Sequence, residues 1–368
     1  MMRVRRALWP PLAAFLVARL FLCLISAGTS RSPWEPGSWS GPDSAHYLSI
    51  AKHGYALVPC SADDPPPGRC GNPGWMPAFP WALRPMLAAG VPPRWAAVIA
   101  AAAFAFSTLF LLWVAFLSSW TRGGLLALIV AAFFPGQVYQ HGAFPLALFS
   151  VLALLCLMAA LHDRWLLAGL AGFGAALTYP PGCLLAPVLV AWGLVSPGPA
   201  PAVRLRGAGL AAALTFGGLL CLLLLHWWQL GVWNAFFVVQ GGYGHGLTNP
   251  MATWWRAVRV VFTPPWQGVQ EGPHLQTLFV GVLMPGLLAR SLRTGTRASS
   301  LLALYAAAFW IFPLALGSGV SLYRSEATLL PSVLLMEGLP RPVLALLLAA
   351  AVLVAWPMGV LFFRLLLV

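Results

Sequence analysis

The sequence predicts an all-α polytopic membrane protein with a bundle of about eleven transmembrane helices. Hydrophobic residues make up 60% of its 368 positions and charged residues only 8%. Apolar runs recur along the whole chain, many of them long enough to cross a bilayer at about 1.5 Å per residue. Arginines fall in alternate links between those runs, as the positive-inside rule requires of a multi-pass protein. The net charge of +13 comes from 20 Arg and one Lys, with no basic cluster interleaved with aromatics, so nucleic acid is not an expected partner.

The first apolar run, residues 7–27, follows three arginines within Met1–Arg6. The small residues Ser26–Gly28 resemble a signal-peptide cleavage site, but a retained first helix fits the architecture better. Further spans are expected at 95–118, 124–139, 143–161, 165–180, 182–196, 207–228, 274–290, 299–316, 326–338 and 342–363. With the N terminus in the cytosol, the inner links carry Arg122, Arg164, Arg204 with Arg206, then Arg290, Arg293 and Arg297, and finally Arg341. Counting Phe79–Gly90 as a span breaks that alternation, so it reads as a helix lying in the interface. Residues 28–94 then form a long first outer loop, 229–273 a second, and 317–325 a smaller one. No repeat or linker divides the chain, and residues 1–368 read as a single transmembrane domain.

Cys23, Cys156, Cys183 and Cys221 lie in apolar spans and read as small core residues. Cys60 and Cys70 share the Pro/Gly-rich first outer loop; either a disulfide or two free thiols is consistent with that position. No CxxC or His-rich spacing suggests a metal, and no Walker or Rossmann glycine pattern suggests a nucleotide, so neither metal nor cofactor is expected.

Only eight residues are acidic. A carboxylate near hydrocarbon is costly, which makes each one a functional candidate. Asp43 follows the first span and opens a helix-like stretch in which His46 and Tyr47 share its face. Taken by itself it reads first as an N-cap for a helix stopped by Gly54. Asp63 and Asp64 read as solvated and Asp163 as part of a cytosolic turn. Glu35 and Glu271 are candidates to assist an outer site, and Glu337 reads as topological. Glu326 is expected to pair locally with Arg324. Arg324 itself stands at an outer helix end, where the positive-inside rule does not put it. It reads either as a bidentate phosphate ligand or as a side chain snorkelling to lipid. Trp75 sits in the aromatic–proline element Pro73–Trp81. Gln240, Tyr243 and His245 combine hydrogen-bonding groups with aromatic faces, as a sugar site or an interfacial belt would. His141 falls at another outer helix junction.

The run Asp-x-x-His-Tyr-Leu-x-Ile-Ala-x-His-Gly-Tyr, from Asp43 to Tyr55, resembles the first luminal loop of the PIG-V family. These are GPI-anchor mannosyltransferases of the GT-C superfamily, with bacterial relatives. The likeness continues in order through Met76–Pro80, Phe134-Pro135, Leu177–Pro180, Asn234–Gln240 and Ser321–Arg324. Three positions depart from the family: Pro42 stands where Trp is usual, Tyr179 replaces an Arg, and Ala143-Phe144-Pro145 occupies the place of an acid.

The resemblance implies a GT-C-type bundle that takes mannose from a polyprenyl- or dolichyl-phosphate mannose donor. The acceptor would be a hydroxyl of a glycolipid or glycan on the outer membrane face. Asp43 would be the general base and Arg324 the stabiliser of the leaving phosphate. His46, Tyr47, Trp75, Gln240 and Tyr243 would complete the substrate-binding set. The rivals are another lipid-phosphate-sugar glycosyltransferase, an inactive scaffold, and a non-enzymatic lipid or sugar transporter. Transporters tend to show repeats and mid-membrane ionisable groups, whereas the acids here lie at loops. Scarce lysine and compact links favour a bacterial plasma membrane over the ER.

Overall fold

The computed structural model describes residues 2–60, 69–117, 122–197, 200–243, 246–266, 268–317 and 321–367. The apolar runs become helices, beginning with α1 (Met2–Gly28). The segment expected to be the first outer loop then runs through a 3-10 turn, Pro36–Trp39, into α2 (Ser44–His53), which stops at Gly54 with φ of 80°. A short antiparallel hairpin follows, β1 (Leu57–Pro59) on β2 (Arg69–Gly71), with Val58 opposite Cys70. Cys60 and Cys70 are joined by a disulfide across it. Next comes α3 (Ala78–Ala88). Its 11 residues span about 17 Å, short of the thickness of a bilayer core.

The chain then enters α4 (Pro93–Leu111), extended by a π-helical turn at Leu112–Phe116, then α5 (Arg122–Ala132) and the short α6 (Gln137–His141). α7 (Leu146–Leu161), α8 (Trp165–Thr178), α9 (Leu185–Val195) and the 30-residue α10 (Pro201–Leu230) follow. The segment expected to be the second outer loop holds α11 (Ala235–Gly241) and the amphipathic α12 (Pro250–Phe262). α13 (Gly272–Thr294), α14 (Arg297–Ala315), α15 (Leu322–Glu326) and α16 (Arg341–Phe363) complete the chain.

Among the described residues, six helices are long and apolar enough to span a membrane: α1, α4, α10, α13, α14 and α16. Shorter apolar helices lie at 123–132, 146–161, 165–178 and 180–195. The protein is an integral, multi-pass membrane protein.

Two predicted spans differ from the structure. The expected helix at 124–139 breaks after Ala132, because Pro135 cannot continue a helix and Gly136 turns left-handed with φ of 77°. A side chain at Gly136 would also collide with Ala327. The expected helix at 326–338 is instead a 3-10 segment, Ala327–Met336, with Pro331 inside it. All ten of its residues are buried, and burial in protein is the condition under which irregular backbone survives at membrane depth.

The core falls into two clusters. One surrounds Trp113, Trp192, Tyr305 and Phe309, and the other joins the outer loop to the bundle through Trp39, Tyr47, Phe79, Tyr139 and Phe362. α8 packs between α7 and α10. Small residues allow that approach: a Cβ at Gly169 would lie 2.8 Å from Ala211 Cα. Leu20, Leu224, Leu353 and Trp356 point outward and supply the lipid-facing surface.

Candidate functional site

Asp43 does not cap α2. Its own backbone is helical, with φ of −63° and ψ of −22°, and its side chain makes no cap hydrogen bond. An N-cap side chain reaches back to the helix only from a non-helical backbone. The local bracing comes from Ser44, whose Oγ accepts from the Gly41 N–H and donates to the Ala143 carbonyl, both at 3.1 Å.

The Asp43 carboxylate is thereby left for Arg324, with which it forms a hydrogen-bonded ion pair. The two side chains are only 12% and 11% exposed. Burial works against the Arg324 charge, but the facing Asp43 carboxylate together with Tyr179 and Tyr139 outweighs it and holds the guanidinium above its ordinary range.

Arg324 does not pair with Glu326 as expected. Gln276, on α13, intervenes: its Nε2 donates to Glu326 Oε2 and to the Tyr323 carbonyl, both at 2.8 Å. Its Oε1 accepts from the Gly136 N–H at 2.9 Å. One amide thus clamps α15 to the break before α6, and Arg324 is turned toward the outer loop.

Aromatic rings wall the pair. Tyr139 and Tyr179 lie close enough to Arg324 to raise its charge affinity, and Tyr139 stacks on Tyr323 with centroids 5.8 Å apart. Tyr47 packs edge-on against Phe79. Burial, reinforced by the negative charge of Asp43, keeps its phenol protonated well above the usual range.

A second wall carries the remaining predicted residues. His46 stacks on Trp75 with centroids 3.6 Å apart and planes 16° off parallel, and Tyr243 meets Trp75 edge-on at 6.4 Å. Burial lowers the His46 pKa, partly offset by Asp43. The Trp75 carbonyl accepts from the Tyr55 hydroxyl at 2.9 Å, and Gln240 Nε2 donates to the Gly74 carbonyl at 2.9 Å. Gln240 therefore braces the Trp75 turn with its amide. α2 links the two walls, since it carries Asp43 and Tyr47 to one and His46 to the other.

Other candidates lie elsewhere. His141 is buried against Phe15, with centroids 5.2 Å apart. Glu271 is buried at the start of α13, beside His274. Asp63, Asp64 and His245 fall outside the described residues. Among the described residues no three His, Cys, Asp or Glu side chains converge as a metal site would require. Gln276, Tyr139 and Tyr323 carry no sequence signal that marks them for this site, and Tyr179 stands out only as a departure from the family pattern.

No family model matches the sequence, and comparison with curated proteins gives no match. Solved structures do match. The Archaeoglobus fulgidus oligosaccharyltransferase in its apo form aligns with a TM-score of 0.51 at 14% identity, over 97% of this chain. The same archaeal enzyme, AglB, in complex with an inhibitory peptide and a dolichol-phosphate, gives 0.51 at 13% identity over 96%. This chain spans 56% of the length of each of those neighbours. The likeness is one of fold: this integral membrane protein shares the helical architecture of the archaeal oligosaccharyltransferase over nearly its whole length.

Proposed function

We propose that this chain is a membrane mannosyltransferase that moves mannose from polyprenyl- or dolichyl-phosphate mannose to a hydroxyl of a glycolipid or glycan on the outer membrane face. The observation that carries the reading is the Asp43–Arg324 pair, in which a base and a phosphate ligand meet across the whole fold. The GT-C architecture supports a lipid-linked donor, and the first-loop resemblance to the PIG-V family supports mannose.

In this reading Arg324 holds Asp43 while the site is empty. The donor phosphate offers Arg324 a better bidentate partner, and the Asp43 carboxylate is freed toward the acceptor. Asp43 takes the proton of the acceptor hydroxyl, whose oxygen attacks the anomeric carbon of mannose. The bond from that carbon to the phosphate oxygen breaks, and the phosphate leaves with the electron pair. Arg324 stabilises the charge that develops on it. The displacement is single and inverts the anomeric centre. The His46–Trp75–Tyr243 wall stacks against the acceptor or sugar ring, while Gln240 holds Trp75 in place.

We read the bundle as eleven crossings with the N terminus in the cytosol and the membrane as a bacterial plasma membrane. The six long helices, the four shorter apolar segments and the buried run Ala327–Met336 supply those crossings.

The test is incubation of the purified protein with labelled polyprenyl-phosphate mannose and a membrane lipid extract. A labelled product that disappears in Asp43→Asn supports the assignment. Full transfer by Asp43→Asn overturns the base, transfer from lipid-phosphate glucose but not mannose overturns the sugar, and absence of any transfer favours a transporter.

A further inference from the structure

A sizeable cavity lies at the end of the bundle opposite Asp43. Its volume is about 560 Å³, within the range of roughly 300–1,000 Å³ typical of small-ligand sites. Four elements meet there: the end of α7, the last turn of α13, the first turn of α14, and the end of the 3-10 segment Ala327–Met336. Every one of these ends shares a side with the N terminus, which the arginine distribution places in the cytosol.

Its lining is amphipathic. Met158, Leu302 and Leu335 form an apolar part, and Thr294, Thr296 and Ser299 bring hydroxyls. Three charged side chains also line it: Arg290, Arg297 and Glu337. Arg297 donates through Nη2 to Asp163 Oδ1 at 2.5 Å, and its guanidinium lies 5.6 Å from the Trp192 ring centroid. Its charge is therefore already balanced, although its Nε is buried without a hydrogen-bond partner. Arg290 is held beside Glu337 by a bond from its Nη2 to the Glu337 backbone carbonyl at 2.8 Å. The Glu337 carboxylate makes no hydrogen bond to the described residues.

That leaves one uncompensated cation, Arg290, next to one uncompensated anion, Glu337. A purely anionic ligand would meet the repulsion of Glu337, and a cation that of Arg290. A zwitterion satisfies both. The α14 N-terminus adds backbone N–H groups and a favourable dipole for the negative part. The apolar part of the lining suits a ligand that continues into acyl chains.

We propose that this cavity binds an aminophospholipid of the inner leaflet. The phosphodiester would lie against Arg290, the Arg297 Nε and the start of α14, and the primary ammonium against Glu337. The site is separate from the outer one and does not depend on the glycosyl-transfer reading. Basic pockets between transmembrane helices on the cytoplasmic side are known lipid-headgroup sites; the acid at Glu337 narrows the headgroup to one carrying an ammonium that can donate hydrogen bonds.

The test uses the full chain in nanodiscs of equal phosphatidylethanolamine, phosphatidylglycerol and phosphatidylcholine, followed by native mass spectrometry of the lipids retained. Phosphatidylethanolamine should be retained about fivefold over each of the others, the scale of one charge-assisted contact near a surface. Glu337→Gln, at an exposed position, should erase its advantage over phosphatidylglycerol, and Arg290→Gln should weaken retention of all three. Soluble phosphoethanolamine and inorganic phosphate form a parallel arm and should compete only weakly. Equal retention of the three lipids, a preference unchanged in both variants, or tight binding of inorganic phosphate without lipid preference overturns the proposal.

Discussion

At one end of the bundle, the outer end in the proposed orientation, Arg324 meets Asp43 across 281 residues of sequence, with side chains 11% and 12% exposed. At the opposite end, the inner one in that orientation, Arg297 meets Asp163 across 134 residues, with side chains 33% and 28% exposed. The chemistry is the same and the setting is not. A partly solvated pair gains about 0.2–1 kcal/mol at most. A buried pair costs several kcal/mol to desolvate and is often no better for stability than an apolar substitute, yet removing one partner costs about 3–5 kcal/mol. The inner pair fits a chain that needs only to fasten a turn. The outer pair is an expensive way to fasten anything, and its burial among tyrosines accords with the proposed use of the charges themselves.

The largest effect should come from Asp43→Asn, which should cut mannose transfer by about 10²–10⁴-fold and lower the melting temperature by stranding Arg324. The double variant Asp43→Asn with Arg324→Gln removes both charges. It should regain much of the lost melting temperature while transfer stays absent. Recovery of activity along with stability would show that the pair is merely structural. Next in size, Arg324→Lys keeps the charge but loses the planar fork. It should raise the donor KM by about tenfold, the scale of one charge-assisted hydrogen bond, with a smaller change in kcat. An unchanged donor KM would remove Arg324 from the phosphate site.

A pH effect should follow from His46. Burial lowers its pKa in the folded protein, so the unfolded chain binds more protons in acid. Stability should therefore fall as pH drops below about 6.5, the usual imidazole value. His46→Gln should flatten that dependence in thermal melts; an identical acid slope in the variant would break the assignment. The smallest effect is expected at the inner pair. Asp163→Asn should shift stability by about 1 kcal/mol or less and leave transfer unchanged. A loss there as large as at Asp43 would erase the contrast between the two ends.

Much of this was legible in residue types. Asp43 stood out because acids are scarce in an apolar chain, and Arg324 because it sits where the positive-inside rule would not place it. That they share one site was implied only by the family resemblance; their direct ion pair was not legible, since nothing local joins positions 281 apart. The cap reading failed on backbone angles, which a residue list does not carry. The local pairing of Glu326 with Arg324 failed because Gln276, 50 residues upstream, claims that carboxylate. The break at Pro135-Gly136 did have a signal in its two residues, but continuous hydropathy concealed it. Tyr139 and Tyr323 were missed because apolar patterning marks a residue as buried without saying which neighbour it faces.

The span of 281 residues also sets an order in time. A ribosome adding about 5–20 residues per second needs roughly 15–60 s to pass from Asp43 to Arg324. Throughout that interval the Asp43 carboxylate lacks the guanidinium that faces it in the folded protein. Its partner arrives only with α15. A chain truncated before α15 would carry Asp43 without Arg324, so the pair can close only after α1 to α14 have been made.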